Sequence, residues 1–248
     1  MRVIRGRAAS PDADREVTRD LLDSVAESGT PVVRAWTAHR QLAFGRRDAN
    51  EPGYDDARTA AEQRGFPPVE RSVGGRAVAY TGSTVAFAAL EPTEESRTGL
   101  TERYEEAVDT VVDALSSLGV DAERGEPPDS FCPGDYSVQA PCAAGNGQRR
   151  PAKLAGIAQR VTAGAAMVSG VVTVADRREI RDVLDPVYDA LGVPLDPESV
   201  GSVAAAGGPG DPERVARALE TAVVDGRPTT TERLADTDAA RNGAGRET

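Results

Sequence analysis

The chain has 248 residues, 39% of them hydrophobic but only 4% aromatic, and 40 acidic against 29 basic side chains leave a net charge of −11. That length allows one large domain or two small ones, and the carboxylate excess argues against nucleic acid as a ligand, since phosphate attraction needs a basic face. The 29 cationic side chains include a single lysine, Lys153, and this acid-rich, lysine-poor composition reads as halophilic, an adaptation to concentrated salt in which charge repulsion is screened.

Met1 to Arg7 carries no apolar run of the secretory type, and no segment approaches membrane-spanning length. Ser10-Pro11-Asp12 is a helix start, Val17, Leu21, Leu22 and Val25 give one apolar stripe, and Gly29 closes the helix. Residues 31–36 and 41–45 read as short strands, with Arg34 at the edge of a site or simply solvated. His39, the one histidine, reads as a solvated turn residue. A single histidine also argues against a Ser-His-Asp triad or a multi-histidine metal site.

Tyr54 to Arg64 predicts an alanine-rich helix, and Val69 to Leu90 a strand, a tight turn and a strand. Tyr104, Val108, Val111, Val112, Leu115 and Leu118 mark the longest helix, from Leu100 to Leu118. A strand after Gly119 leads into a proline-rich loop, Glu126 to Pro133. Gly145 to Arg150 reads as a flexible insertion. Residues 153–161 and 165–174 predict a hairpin, and three short helices follow at 177–191, 197–203 and 212–224. From Arg227 onward no apolar period remains, which predicts a disordered tail over 226–248. Helices mixed with hairpins, without βαβ alternation, favour α+β.

Three segments carry chemistry. In Glu70 to Tyr80, the pair Gly74-Gly75 lets backbone amides approach a ligand, and Arg71 and Arg76 could grip a phosphate or carboxylate; a plain tight turn is the competing reading. Around Lys153, a regular strand puts Lys153, Ala155 and Ile157 on one face, with Ala155, Gly156 and Ala158 leaving room for a ligand. Lys153 resists the arginine bias of the chain, as expected of a position needing a compact, tunable charge. Cys132, in Phe131-Cys132-Pro133-Gly134, is placed as an accessible nucleophile or as an inert half-buried thiol. Cys142 favours the inert reading. The two cysteines form neither a disulfide framework nor a zinc spacing, so reduced thiols in a cytoplasmic enzyme are expected.

Together these segments resemble the lipoate-protein ligase and octanoyltransferase family, relatives of the biotin-protein ligases. Arg71-Ser72-Val73-Gly74-Gly75-Arg76-Ala77-Val78 matches its glycine loop, and Lys153-Leu154-Ala155-Gly156-Ile157-Ala158-Gln159 matches its lysine strand. The chain departs from the pattern at Val73, Arg76, Tyr80 and Ser169. The resemblance implies a biotin/lipoate-protein-ligase-like catalytic domain over 1–225, with a mainly antiparallel sheet, flanking helices and a short helical C-terminal part from about 176.

It also implies that Lys153 contacts the acyl carbonyl or acyl-adenylate, and that Cys132 holds the acyl group as a thioester. Arg71, Ser72, Gly74, Gly75, Arg76, Ala77, Val78, Gly156 and Ala158 would line the acyl site. The implied substrate is octanoate or lipoate, with ATP and magnesium if the chain is a ligase. The implied acceptors are lipoyl-domain proteins of 2-oxoacid dehydrogenase or glycine-cleavage complexes, with an accessory subunit or acyl carrier protein as further partners. Biotin-protein ligation and a non-catalytic acyl-binding or assembly subunit are the alternatives.

Overall fold

In a computed structural model that describes residues 1–71, 74–94, 99–143 and 147–234, the chain opens with strand β1 (Arg2–Arg5). Helix α1 (Pro11–Ser28) follows as its ends dictate: the Ser10 hydroxyl accepts from the Ala13 amide, and Gly29 closes the helix in the left-handed region. Strands β2 (Val32–Thr37) and β3 (Gln41–Phe44) come next, then a 3-10 turn (Asp48–Asn50), helix α2 (Tyr54–Glu62) and strands β4 (Pro68–Glu70), β5 (Val78–Tyr80) and β6 (Val85–Thr93). Helix α3 (Leu100–Ser116) ends two residues before Leu118, the end its sequence pattern suggests, and at 17 residues it is not the longest, since α1 has 18. Strands β7 (Glu123–Arg124), β8 (Ser137–Ala143), β9 (Arg149–Thr162) and β10 (Gly164–Val172) precede helices α4 (Arg177–Leu191) and α5 (Pro212–Val224) and strand β11 (Thr230–Arg233).

Eight strands form one sheet in the order β11-β1-β2-β6-β10-β9-β8-β7, and β4-β3-β5 form a second, smaller one. The large sheet is antiparallel except at one end, where β1 pairs in parallel with both β2 and β11. The fold is therefore α+β with a mainly antiparallel sheet, as the order of elements predicts.

Alternation along the strands sends side chains to opposite faces. Val85 and Phe87 of β6 join α3 and α5 in one core, whereas Ala88 and Leu90 join α1 in another. A third core gathers the small sheet with α2 and α4. The proline-rich loop touches this third core through Phe131 and Cys132, while Leu154 and Ala155 of β9 belong to the first. The loop and the lysine strand thus meet where two cores adjoin.

Several expectations are corrected. The region 69–90 forms three strands, two in the small sheet and one in the large. Residues 197–203 are no helix: Pro197–Ser199 make a single 3-10 turn, and Val200 then bridges to Lys153 alongside β9. The stretch after Arg227, expected to lack structure, includes β11, whose residues Thr230 to Arg233 pair with Arg2 to Arg5. An Arg2–Glu232 ion pair of 2.8 Å ties the two strands, and the amide of Thr230 donates to the Met1 carbonyl. Residues 235–248 of the expected tail, and 145–146 of the expected flexible insertion, lie outside the described residues, and Arg149 and Arg150 of that insertion begin β9.

Arg34 is neither at a site edge nor solvated. It is fully buried, ion-paired to Asp14, and stacked over Trp36 at 4.0 Å. His39 is half-buried beside them, with Nε2 2.8 Å from the Ala8 carbonyl.

Candidate active site at the cysteine loop

Two left-handed residues shape the loop before β8: Asp129 at φ 49° and Cys132 at φ 43°. A non-glycine residue in that region costs about 1–3 kcal/mol and persists only when its surroundings hold it. At Cys132 the surroundings are explicit. Its amide donates to the Tyr188 hydroxyl at 2.7 Å, and its carbonyl accepts from Lys153 Nζ at 2.8 Å. Burial pushes the Tyr188 phenol well above its ordinary pKa, so it stays neutral and donates in turn to the Ala77 carbonyl at 2.9 Å.

The Cys132 thiol points into the glycine loop. Sγ lies 3.3 Å from the Arg76 amide nitrogen and 3.9 Å from Arg71 Nη2, both donors. Arg71 also donates to the Arg76 carbonyl at 2.5 Å, while its Nε, buried, has no acceptor among the described residues. Burial opposes the charge on Arg71, but attraction to Tyr80 and Cys132 and the hydrogen bond to Cys132 hold its pKa above the usual value. Tyr80 is pushed up by burial against the pull of Arg71.

The glycine loop is pinned from outside. Arg76 Nη1 pairs with Glu51 at 2.6 Å and with buried Asp48 at 3.4 Å. Burial raises the Asp48 carboxyl above its ordinary range, opposed by the Gly45 amide and by Arg76. Two glycines are required here by space. A Cβ on Gly75 (φ +93°) would sit 2.9 Å from Cys132 Sγ, and one on Gly45 only 2.1 Å from the Gly75 carbonyl oxygen. Gly74 has nothing within 4 Å of such a Cβ. Gly45→Ala is therefore expected to destabilise by about 1–3 kcal/mol and to displace the Arg76 amide from the sulfur, whereas Gly74→Ala leaves the melting temperature unchanged; thermal denaturation of both variants checks this.

Lys153 is 1% exposed. Its ammonium donates to both Glu126 carboxylate oxygens, at 2.9 and 3.1 Å, and to the carbonyls of Phe131 and Cys132, at 3.1 and 2.8 Å. The expected face shared with Ala155 and Ile157 is corrected by a bulge. Gln139 pairs with Lys153 but Val138 with Ala155, leaving Leu154 extra. Ala155 therefore turns into the core, and a Cβ on Gly156 would lie 3.6 Å from Lys153 Cε.

Of the residues singled out from the sequence, Cys132, Arg71, Gly75 and Arg76 come together through direct contacts, Ala77 is linked to Cys132 through the Tyr188 hydroxyl, Lys153 lies behind the loop and Gly156 beside Lys153. Val78 is buried in the small sheet, and Ala158 is exposed further along β9. Ser72 lies outside the described residues. Cys142 is fully buried in the first core, its thiol pushed up by burial and 3.9 Å from the Ser202 carbonyl.

Sequence reasoning missed Glu126 and Tyr188, because a lone glutamate before two prolines and a tyrosine on a helix stripe carry no local signature. A shallow cleft of about 500 Å³ lined by Arg64, Phe66, Asp176, Arg178, Glu179, Asp182 and Val183 contains none of these residues. Among the described residues no group of histidine, cysteine and carboxylates could hold a metal ion, and no helix is long and apolar enough to cross a membrane.

A family model described as the lipoyl protein ligase A/B catalytic domain matches residues 11–223. The chain is 31% identical over 121 residues to the octanoyl-[GcvH]:protein N-octanoyltransferase of Geobacillus kaustophilus (strain HTA426), covering 48% of this chain and 43% of that protein. It is 28% identical over 130 residues to the lipoyl-[GcvH]:protein N-lipoyltransferase of Listeria monocytogenes serovar 1/2a, covering 52% and 47%. The chain thus spans about half the length of these relatives. Its fold is similar to that of a lipoate-protein ligase A bound with ATP, with a TM-score of 0.71 at 19% identity over 99% of this chain and 94% of that one. A putative lipoate protein ligase from T. acidophilum with bound lipoic acid gives 0.65 at 18% identity, over 97% and 93%.

Proposed function

The chain belongs to the lipoyl protein ligase A/B catalytic domain family, and on that footing we propose that it is a protein-lipoylation enzyme that moves an octanoyl or lipoyl group through Cys132 onto a lipoyl-domain lysine. The observation that carries this reading is the thiol held 3.3 Å from the Arg76 amide and 3.9 Å from Arg71. A cysteine facing a cation and a backbone donor is suited to nucleophilic acyl transfer.

The Cys132 sulfur bonds to the acyl carbon, the bond from that carbon to the donor's sulfur or nitrogen breaks, and the donor atom takes the thiol proton. The acceptor lysine amine then attacks. A nitrogen–carbon bond forms, the sulfur–carbon bond breaks, and the thiol recovers a proton from the amine. Neither step needs ATP. The donors proposed to meet charge on the acyl oxygen are the Arg76 amide and Arg71 Nε, which has no acceptor among the described residues. The transfer relatives named for GcvH support a lipoyl-domain donor or acceptor, of the glycine-cleavage or 2-oxoacid dehydrogenase type. The acidic composition supports work in concentrated salt, and the two free cysteines support a reducing, cytoplasmic setting.

The test is transfer to an apo-lipoyl domain, followed by intact mass at high salt. One arm supplies an octanoylated lipoyl-domain protein or octanoyl carrier protein; the other supplies lipoate, ATP and magnesium. Transfer in the first arm, with a hydroxylamine-labile adduct on the enzyme, is expected. Transfer in the second arm alone makes the chain a ligase, with Lys153 acting on an acyl-adenylate and an accessory subunit to be sought. Folded protein inactive in both arms sinks the enzymatic reading.

A further inference from the structure

Glu126 is the carboxylate on which the cysteine loop converges. Its two oxygens accept from Lys153 Nζ, Oε1 from the Ser130 hydroxyl, and Oε2 from the Gly134 amide at 3.2 Å. It therefore ties both ends of the segment carrying Cys132. Lys153 completes the tie by donating to the carbonyls of Phe131 and Cys132 at 3.1 and 2.8 Å. An ammonium has three hydrogens, and these acceptors use all of them.

We propose that Glu126 is a positioning residue for acyl transfer: acting through Lys153, it holds Cys132 in its left-handed conformation with the thiol against the Arg76 amide and Arg71. In this arrangement Lys153 serves the nucleophile's backbone through the Phe131 and Cys132 carbonyls. The strained φ of 43° at Cys132 is what the pair maintains. The carboxylate supplies what the two carbonyls cannot, a full counter-charge that keeps the lone buried ammonium in place. The inference rests on Cys132 being the nucleophile, but its physical core, the hold on the loop, does not.

The experiment combines two readouts on Glu126→Gln, Glu126→Asp and the pair Lys153→Met with and without Glu126→Gln. Amide hydrogen exchange over residues 130–134 reports the hold independently of activity. Steady-state transfer from an octanoylated donor reports its use. Glu126→Gln is expected to speed exchange at Cys132 and Gly134 and to lower kcat tenfold or more with KM for the donor within twofold. Glu126→Asp should recover much of kcat, a rescue that loss of general stability does not give. Adding Glu126→Gln to Lys153→Met should cost no further activity, because the two act as one unit.

Unchanged exchange in Glu126→Gln overturns the proposal, whether or not the parent protein is active. So does faster exchange with an unchanged kcat, or an additive loss in the double variant. A parent that holds its loop but transfers nothing overturns the acyl-transfer reading instead. Should Glu126→Gln fail to fold, Ser130→Ala, which removes one donor to the same carboxylate, takes its place and is expected to speed exchange at the same amides.

Discussion

Cys132→Ser is expected to abolish the proposed hydroxylamine-labile acyl adduct and to lower transfer on the order of 10³-fold or more, because a hydroxyl at this position has neither the acidity nor the nucleophilicity of a thiol. Cys142→Ser leaves both unchanged. The contrast follows from placement. Cys132 is half-buried with two donors on its sulfur, whereas Cys142 is sealed in the large core with its thiol pushed up by burial. Intact mass before and after hydroxylamine, with rates from the octanoylated donor, measures both variants. Full transfer by Cys132→Ser with a requirement for ATP would falsify the thioester route and leave an acyl-adenylate as the reacting species.

Asp14→Ala carries the largest expected effect on stability. Asp14 Oδ1 pairs with Arg34 and accepts from the Ala8 amide at 2.8 Å, and the Arg34 guanidinium also reaches the Gly6 carbonyl at 3.1 Å. Burial lowers the Arg34 pKa, with the Asp14 hydrogen bond as the chief opposing influence. Removing the carboxylate leaves a guanidinium buried without a counter-charge, a loss of about 3–5 kcal/mol. For a chain of this size that lowers the melting temperature by roughly 6–20 °C. Arg34→Met in the Asp14→Ala background should recover part of the loss, since the stranded charge is gone. Thermal unfolding at fixed salt is the measurement, and a drop below 2 °C in Asp14→Ala would mean that the guanidinium finds water or another partner.

Both variants probe features of unequal legibility. Helices α1, α4 and α5 could be read because their ends are chemically marked: Ser10 before Pro11, Asp211 before Pro212, and Gly29 and Gly192 at left-handed ends. The lysine strand could be read because the only lysine falls inside a motif. Strand β8 was hidden by Pro141 in its middle, although Val138, Ala140 and Cys142 alternate toward the core. Strands β1 and β11 have four residues each, too few for a period to show, and β11 is held by backbone pairing and the Arg2–Glu232 ion pair with no apolar side of its own.

At the site, the glycine loop and both chemical residues were visible, but their relation was not. The bulge at Leu154 turns Lys153 away from the face shared with Ala155, and no local rule places a bulge. Tyr188 meets Cys132 across 56 residues of sequence, Asp48 meets Arg76 of the glycine loop across 28, and Glu126, within the cysteine loop, meets Lys153 across 27. Arg34 misled for a related reason: a charge in a short strand reads as solvated until the helix that neutralises it is packed above.

The parallel pairing of β1 with β11 has a consequence in time. Its partners are separated by almost the whole chain, and the Met1 amine meets the Pro228 carbonyl 227 residues on. During synthesis at ~5–20 residues per second, the outer edge of β1 stands open on the order of ten to several tens of seconds. Strand β1 is thus made long before this edge is covered, and until β11 emerges it is a bare template for pairing with another nascent chain. Arg2 and Arg5, which later meet Glu232 and Glu220, put like charges on that edge while it waits. Two such edges repel each other, so the residues that fasten the finished sheet also guard the unfinished one.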